Sequence, residues 1–354
     1  MTATVRTAPP PPPPAPYGLD GIVVPEVTMP APPHTPNPHV RAAHAAAQEW
    51  LDRFGLCRSA ASRRILRRAR LPLTAALFYP GASPPVLARL TPWLYWICIM
   101  DDEFDDGPDG RDPARCAATL AALLDVLGGR PGRTPAERAL ADIRLRVQEG
   151  RSPGWSRAFR RDVEGWFWTY YEDTADRVAH RYPRLDAYPR QRAHAFGAYV
   201  MLSLAEPAAG VDLPEAVRRL PALRDLRHAA AEYLGLHNDF WSVGKEREAG
   251  VYHNAVILIG HHERVGLQES VDSCAGMLDA RARRMVAAQL ELPGQLDAVG
   301  VSGVTRAEAL TCAAAYWHVV RGAHDYYQRV DRYTRADPRL KDELAPPHGL
   351  FTGQ

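Results

Sequence analysis

Five acidic side chains occupy six consecutive positions in Asp101-Asp102-Glu103-Phe104-Asp105-Asp106, directly after the apolar, aromatic run from Trp93 to Met100. If that run is helical, its C-terminal end carries partial negative charge, which disfavours each acid there by about 0.3–1 kcal/mol. The acids also repel one another, by about 4 kcal/mol for two charges about 4 Å apart at an effective dielectric near 20. Something positive is expected to compensate. Asp101 and Asp105 stand at i, i+4 on one helix face, as do Asp102 and Asp106. Hard carboxylate oxygens clustered this way suit Mg²⁺, which keeps several waters and bridges to phosphate oxygens. A solvated acidic loop is the competing reading, because Gly107-Pro108-Asp109-Gly110 follows at once. An EF-hand calcium loop fits poorly. With Gly107 as its sixth residue Phe104 falls where an acid is needed, and with Gly110 Cys116 replaces the final glutamate.

A second oxygen-bearing stripe lies downstream in Glu232-Tyr-Leu-Gly-Leu-His-Asn238-Asp239-Phe-Trp-Ser242-Val-Gly-Lys245-Glu246. Asn238, Ser242 and Glu246 follow at i, i+4, i+8, each offset by about 40° around a helix, so all three line one side. An amide oxygen, a hydroxyl and a carboxylate together carry one negative charge, which suits a metal already neutralised by a phosphate group. The alternative is an ordinary polar helix face, with Ser242 bonded back to a carbonyl.

An Asp-rich helix end followed 137 positions later by Asn-x-x-x-Ser-x-x-x-Glu, in an all-helical chain, resembles the class I terpene synthases of bacteria. The resemblance covers roughly residues 37–335 and implies an all-α helical bundle around a central active-site cavity. It implies that Asp101 and Asp105 hold two Mg²⁺ ions and that Asn238, Ser242 and Glu246 hold a third. It further places a diphosphate-sensing arginine at Arg192, an Arg-Tyr pair at Arg332 and Tyr333, and a phosphate donor at Lys245. One departure stands out. Where the family carries a linker residue and then a glycine, this chain has Ala195 and Phe196, with Gly197 one position later. Either the local register slips by one or Phe196 presents its carbonyl without glycine's freedom. The implied reaction is cleavage of an isoprenyl diphosphate, expected to be farnesyl diphosphate, and cyclisation of the cation to a sesquiterpene. Geranyl, methylated geranyl and geranylgeranyl diphosphates are the other substrates in range. Arg192, Lys245, Arg332 and Tyr333 would stabilise charge on the leaving group. A carbocation also needs an apolar, aromatic wall, for which Phe78, Trp96, Phe196 and Trp317 are the expected lining residues. Tyr79, Trp93, Tyr170, Tyr171, Trp241 and Tyr326 lie in or beside it. For any single ring, core packing is the competing explanation.

The elements that must position these groups are helices, since helical periodicity dominates from Pro38 onward and strand alternation is almost absent. Ten or eleven helices are predicted, including continuous ones over 187–206 and 213–248 and an interrupted one over 252–292. Thr134-Pro135 and Leu213-Pro214 read as starts, Gly128-Gly129 and Gly150 as stops. Thirteen of the first 38 residues are proline, so residues 1–36 are expected to be extended or disordered, with a strap over the active-site mouth as the functional alternative. Residues 37–335 form the single helical domain and 336–354 a C-terminal tail.

With 24% charged residues and a net charge of +2, no global field points to nucleic acid. Five scattered cysteines lack metal-ligand spacing and imply no disulfide framework, so a cytoplasmic, reducing setting is expected. The longest apolar run is too short to span a bilayer, and a homodimer is a further expectation. A chain-elongating prenyltransferase would show a second Asp-rich motif at 238–242, and a protonation-initiated cyclase an Asp-x-Asp-Asp motif; neither is present. A non-catalytic helical interaction module remains the reading from a different class.

Overall fold

A computed structural model of the chain describes residues 16, 18–19, 21–57, 60–249, 251–330 and 350–351. The helices run in chain order as α1 (Val40–Phe54), α2 (Ala60–Ala69), α3 (Leu71–Phe78), α4 (Pro84–Asp106), α5 (Pro113–Leu127), α6 (Pro135–Gln148) and α7 (Pro153–Ala179). They continue as α8 (Tyr188–Ala195), α9 (Ala198–Ala208), α10 (Glu215–Arg218), α11 (Pro221–Ala249), α12 (Ala255–Glu263), α13 (Leu267–Ala298) and α14 (Gly303–Tyr327). No strand occurs among the described residues. Local chemistry sets the starts. Asp112, Thr134 and Ser152 each accept backbone N–H bonds from the first turn of α5, α6 and α7, and a proline opens each of those helices, where its missing N–H costs nothing.

Three predicted helices are divided. The 187–206 segment breaks at Gly197, which sits at φ 68° between α8 and α9, a conformation that glycine adopts without a Cβ penalty. The 213–248 segment gives the short α10 before Pro221 opens α11, and 252–292 separates into α12 and α13 at Val265-Gly266.

Burial explains the arrangement. The 29-residue α11 packs against α8, α9, α12, α13 and α14, and its stretch Ala229–Trp241 is buried throughout. A helix apolar all round belongs in the middle of a bundle. On one flank α4 lies against α1, α3, α6 and α9, and α7 packs on α5, α8 and α9. Trp93, Trp96, Phe159, Trp166 and Phe167 interlock between α4 and α7 with ring centroids 5.2–6.2 Å apart.

The proline-rich segment departs from a structureless tail over 21–36. It contains no helix or strand, but its backbone is fastened to four helices. Val23 exchanges two 2.9 Å bonds with Gln268 of α13, Thr28 O accepts from Tyr233 of α11, Ala31 O accepts from Arg321 of α14, and the His34 ring bonds Leu77 O of α3. The residues between the prolines make these contacts, Val23 N donating and the Val23, Thr28 and Ala31 carbonyls accepting. Buried Asn37 finishes the strap by donating to Tyr79 O and Ala82 O. At the other end of the chain, Leu350 O accepts from Ala136 N and the Phe351 ring meets Phe104.

Candidate active site

The acidic end of α4 is braced from the loop that follows it. Gly110 lies so close to Phe104 that a Cβ there would fall 1.6 Å from the Phe104 carbonyl oxygen, so only glycine permits the approach. Arg177 of α7 donates to Gly110 O and reaches Phe104 O, which places a cation at a helix C-terminus, where the macrodipole favours one. Asp109 is buried and bound by Arg115 and Thr119. Glu103 points inward, and burial, with the nearby Asp109 charge, pushes its carboxyl up to about 7 against the opposing Arg115. Asp101 is half-buried and accepts from the Tyr170 hydroxyl of α7, whose ring stacks on Phe104 at 4.6 Å. Asp105 lies in the last turn of α4, and its side chain, like those of Asp102 and Asp106, is outside the described ones.

From Tyr170 the same face of α7 continues, at i+3, to Asp173, which together with Asp176 receives the His253 ring at 3.3 Å. Asp173 also contributes to the field on Arg192. Arg192 of α8 is the hinge of the second half of the site. Its Nε donates to Asp239 Oδ1 at 2.6 Å, and its Nη2 to Asn238 Oδ1 at 2.7 Å. Burial works against this guanidinium, and Asp239, with Tyr188, Glu246 and Asp173, outweighs burial and holds its pKa well above the usual range. Asp239 is the anion of the pair. Fully buried, it also accepts from Tyr188 OH and Ala255 N, both at 2.8 Å. Asn238 Nδ2 donates to Tyr327 OH of α14 at 2.7 Å, and the Tyr327 ring stacks on Trp241.

Asn238, Ser242 and Glu246 share one side of α11, as the spacing requires. Asn238 and Ser242 are buried and Glu246 is half-buried. The back-bond from Ser242 to a carbonyl, which the alternative reading of a polar helix face called for, is absent: its Oγ is buried with no hydrogen-bond partner among the described residues. Such a hydroxyl is costly unless something accepts or coordinates it. No three His, Cys, Asp or Glu side chains converge as a metal cluster among the described residues. The amide, hydroxyl and carboxylate oxygens of α11 nevertheless fit a hard divalent cation, and the orphaned Ser242 sits between the other two.

The remaining expected residues distribute unevenly. Lys245 is exposed on α11, and Arg332 and Tyr333 lie outside the described residues. Phe196 is half-buried at the end of α8. Gly197 O accepts from Val200 N and Met201 N at the start of α9, so Gly197 serves the helix junction. Phe78 is buried where α3 meets Gly322 of α14, and Trp317 is half-buried against the core.

Trp96 corrects the expectation. Its indole is fully enclosed, donates to Ala136 O of α6 and stacks among Trp93, Trp166 and Phe167, so it fills a helix interface. A helical wheel carries the reason, since five residues at about 100° each put Trp96 and Asp101 about 140° apart. Leu94 and Ile97, buried and one or two turns behind Asp101, share its face instead. Tyr171 is 39% exposed, and the Tyr326 hydroxyl donates to Ala69 O. Asp239, Tyr188, Tyr327 and Asn254, by contrast, were not singled out from sequence. A cleft of about 120 Å³ lined by Arg161, Glu206, Arg218, Arg227, His228 and Tyr316 includes none of the site residues, and its polar wall does not suit an isoprenyl chain.

Comparison with known proteins bears on this geometry. The profile of the family described as "Terpene synthase family 2, C-terminal metal binding" matches residues 92–284. A (2Z,6E)-hedycaryol synthase from Kitasatospora setae is 32% identical over 328 residues, covering 89% of this chain and 96% of the relative. The chain belongs to the terpene synthase family. A (+)-T-muurolol synthase from Roseiflexus castenholzii, named as (2E,6E)-farnesyl diphosphate cyclizing, is 30% identical over 255 residues, 70% of this chain and 76% of that one. The solved structure of hedycaryol synthase in complex with HEPES superposes with a TM-score of 0.78 at 30% identity, covering 88% of this chain and 100% of the other. The family match implies that this terpene synthase binds a divalent metal, and the matched region 92–284 contains both oxygen-bearing motifs. No described helix is long and apolar enough to cross a membrane.

Proposed function

We propose that this terpene synthase ionises farnesyl diphosphate and cyclises the resulting cation to a sesquiterpene, with release of diphosphate. The observation that carries this reading is the buried, unpartnered Ser242 hydroxyl, set between Asn238 and Glu246 beside the Arg192 clamp. The Roseiflexus relative, named for cyclising farnesyl diphosphate, supports the substrate assignment. Asp101 and Asp105 on one side, with Asn238, Ser242 and Glu246 on the other, would hold three Mg²⁺ ions. When bound, those ions supply Lewis-acid stabilisation of the departing diphosphate.

The chain's own groups do the rest. The allylic C–O bond breaks heterolytically, its electron pair leaves with the diphosphate, and Arg192 meets that growing charge with N–H donors already oriented by Asp239 and Tyr188. Lys245, Arg332 and Tyr333 are assigned to the same diphosphate. Rings border both motifs, Phe104 and Tyr170 at Asp101, and Trp241 and Tyr327 at Asn238, and they exclude the water that would quench a cation. Phe78, Phe196 and Trp317 are retained as lining residues. Loss of a proton from the cation, or capture of one water, ends the reaction. All five cysteines are buried free thiols, which suits a reducing cytoplasm.

The test is incubation with geranyl, farnesyl and geranylgeranyl diphosphates, with and without EDTA, followed by analysis of the organic extract. The expected result is a cyclic C15 product from farnesyl diphosphate that EDTA abolishes and Mg²⁺ restores. A dominant C10 or C20 product would overturn the substrate assignment, and EDTA-insensitive turnover the metal role.

A further inference from the structure

Asn254 is fully buried at the N-terminus of α12, eight residues beyond Glu246. Both ends of its amide are engaged. Oδ1 accepts from Val256 N at 2.9 Å and from Ile257 N at 3.4 Å, a helix cap. Nδ2 donates to Glu246 Oε2 at 2.7 Å and to the Asp239 carbonyl at 2.8 Å. Chemistry dictates this orientation. Exchanging the amide oxygen and nitrogen would set oxygen against a carboxylate and a carbonyl, and an NH₂ against two N–H groups. Capping alone needs only the Oδ1 side, and Ser, Thr or Asp supplies it equally well. None of those provides a two-hydrogen donor that spans Glu246 and Asp239.

We propose that Asn254 is a positioning residue for metal binding, holding the Glu246 carboxylate against the Asn238–Ser242–Glu246 stripe. The inference rests on the metal-binding reading of that stripe. Glu246 is half-buried near the end of α11, on a side chain with several rotatable bonds, so a fixed donor removes rotamers that point away from the site. One carboxylate oxygen, Oε2, takes the amide hydrogen, and Oε1 is left to face a cation. The same amide reaches the backbone of Asp239, while the next residue, Ala255, donates its N–H to the Asp239 side chain that orients Arg192. Two consecutive residues at one helix start therefore fix a metal ligand and the diphosphate-sensing arginine together. Partners placed behind metal ligands are typically worth 10–100-fold in affinity.

The experiment titrates Mg²⁺ calorimetrically into the full-length protein with inorganic diphosphate and no isoprenyl substrate, comparing wild type, Asn254→Ser, Asn254→Gly and Glu246→Gln. Serine and glycine are both tolerated at helix N-caps. At least tenfold weaker Mg²⁺ binding is expected in both Asn254 variants. The Mg²⁺ concentration for half-maximal activity rises in parallel, and kcat at saturating Mg²⁺ stays near wild type. If Glu246→Gln weakens Mg²⁺ binding while both Asn254 variants match wild type, Asn254 is only a cap and the proposal is overturned. If Glu246→Gln binds Mg²⁺ normally, the metal reading beneath it falls, and the proposal with it. Should neither Asn254 variant fold, the wild-type Asn254 side-chain amide resonances decide. They shift on addition of Mg²⁺ and diphosphate if the proposal holds, and an unmoved signal overturns it.

Discussion

Replacing Ser242 with alanine is expected to strengthen the fold and weaken the enzyme. The hydroxyl oxygen is buried with no hydrogen-bond partner among the described residues, and the residue is 3% exposed. An unsatisfied buried polar group costs about 1–3 kcal/mol, and serine in a helix interior costs up to about 0.5 kcal/mol relative to alanine. The substitution leaves a small apolar group and no sizeable cavity, so unfolding free energy should rise by about 1.5–3 kcal/mol. For a chain of this size that is a gain of roughly 2–4 °C in Tm. The catalytic effect runs the other way, because the stripe loses its middle oxygen. Mg²⁺ affinity in the presence of diphosphate should fall about tenfold or more, as for loss of one ligand-supporting group. Urea denaturation and thermal unfolding read the first quantity, and calorimetric Mg²⁺ titration the second. A residue that costs stability and returns function is the pattern expected where an active site compromises packing. The reasoning is refuted if Ser242→Ala destabilises the protein, which would mean that the hydroxyl has a structural partner. It is equally refuted if stability rises and Mg²⁺ binding is untouched, since the orphaned oxygen would then serve no metal.

Other substitutions test the surrounding frame. Asp101→Asn and Asn238→Ala should each lower turnover by about 10²-fold or more, as loss of a charge-stabilising group does, with helical circular dichroism retained; wild-type activity in either would cancel its ligand role. Asp239→Asn leaves the nearly buried Arg192 without its counter-ion and should cost about 3–5 kcal/mol in urea denaturation, more than Tyr188→Phe, which removes one of three donors; the reverse ranking would contradict the clamp. Gly110→Ala forces a Cβ onto the Phe104 backbone and should cost about 3 kcal/mol with a matching loss of Mg²⁺ affinity, whereas an unperturbed melt would mean the loop does not brace α4. Burial depresses the pKa of His194, His228, His318 and His324 in the native state. The unfolded chain therefore takes up protons first as pH falls through about 6.5, so stability present above that pH is lost below it. The urea midpoint should drop between pH 7.5 and 5.5, and a flat or rising profile would contradict the assignment.

The candidate ligands were legible in the sequence because helix periodicity alone puts Asn238, Ser242 and Glu246 on one side of α11, and a run of acids at a helix end is conspicuous without a structure. Their holders were not. Tyr327 is 89 residues from Asn238, and Tyr188 is 51 residues from Asp239. Neither pairing has a local pattern, so only the packing of α8, α11 and α14 creates it. Asn254 had a weaker signal. Polar residues before an apolar helix read as caps, and the second half of its amide carries no trace in sequence. The misplaced Trp96 is a different failure. Residue type suggested a pocket wall, whereas its angular position relative to Asp101 was available from counting and pointed to Leu94 and Ile97. Composition left a strap over 21–36 as one of two readings because it averages over prolines, while attachment depends on the few residues between them, Val23, Thr28, Ala31 and His34.

How the protein tolerates two oxygen-rich stripes follows from which donors hold them. Arginines are placed one step away from the candidate ligands: Arg115 pairs with Asp109, Arg192 pairs through Nε with Asp239, and Arg177 donates to the backbone at Phe104 and Gly110. Neutral groups also reach the candidate ligands: a tyrosine hydroxyl donates to Asp101, an asparagine amide donates to Glu246, and the Tyr327 hydroxyl accepts from Asn238. Arg192 is the exception, because its Nη2 also rests on Asn238 Oδ1. A buried ion pair is costly to break, by about 3–5 kcal/mol, whereas a neutral hydrogen bond contributes about 0.5–1.5 kcal/mol and is exchanged readily. Strong charges thus fix the geometry of α4, α8 and α11, whereas Asp101 and Glu246 each accept from a neutral donor that a cation could displace. The stripe stays aimed into the bundle without being locked against its ligand, and Ser242 is the position where even the weak donor was left out.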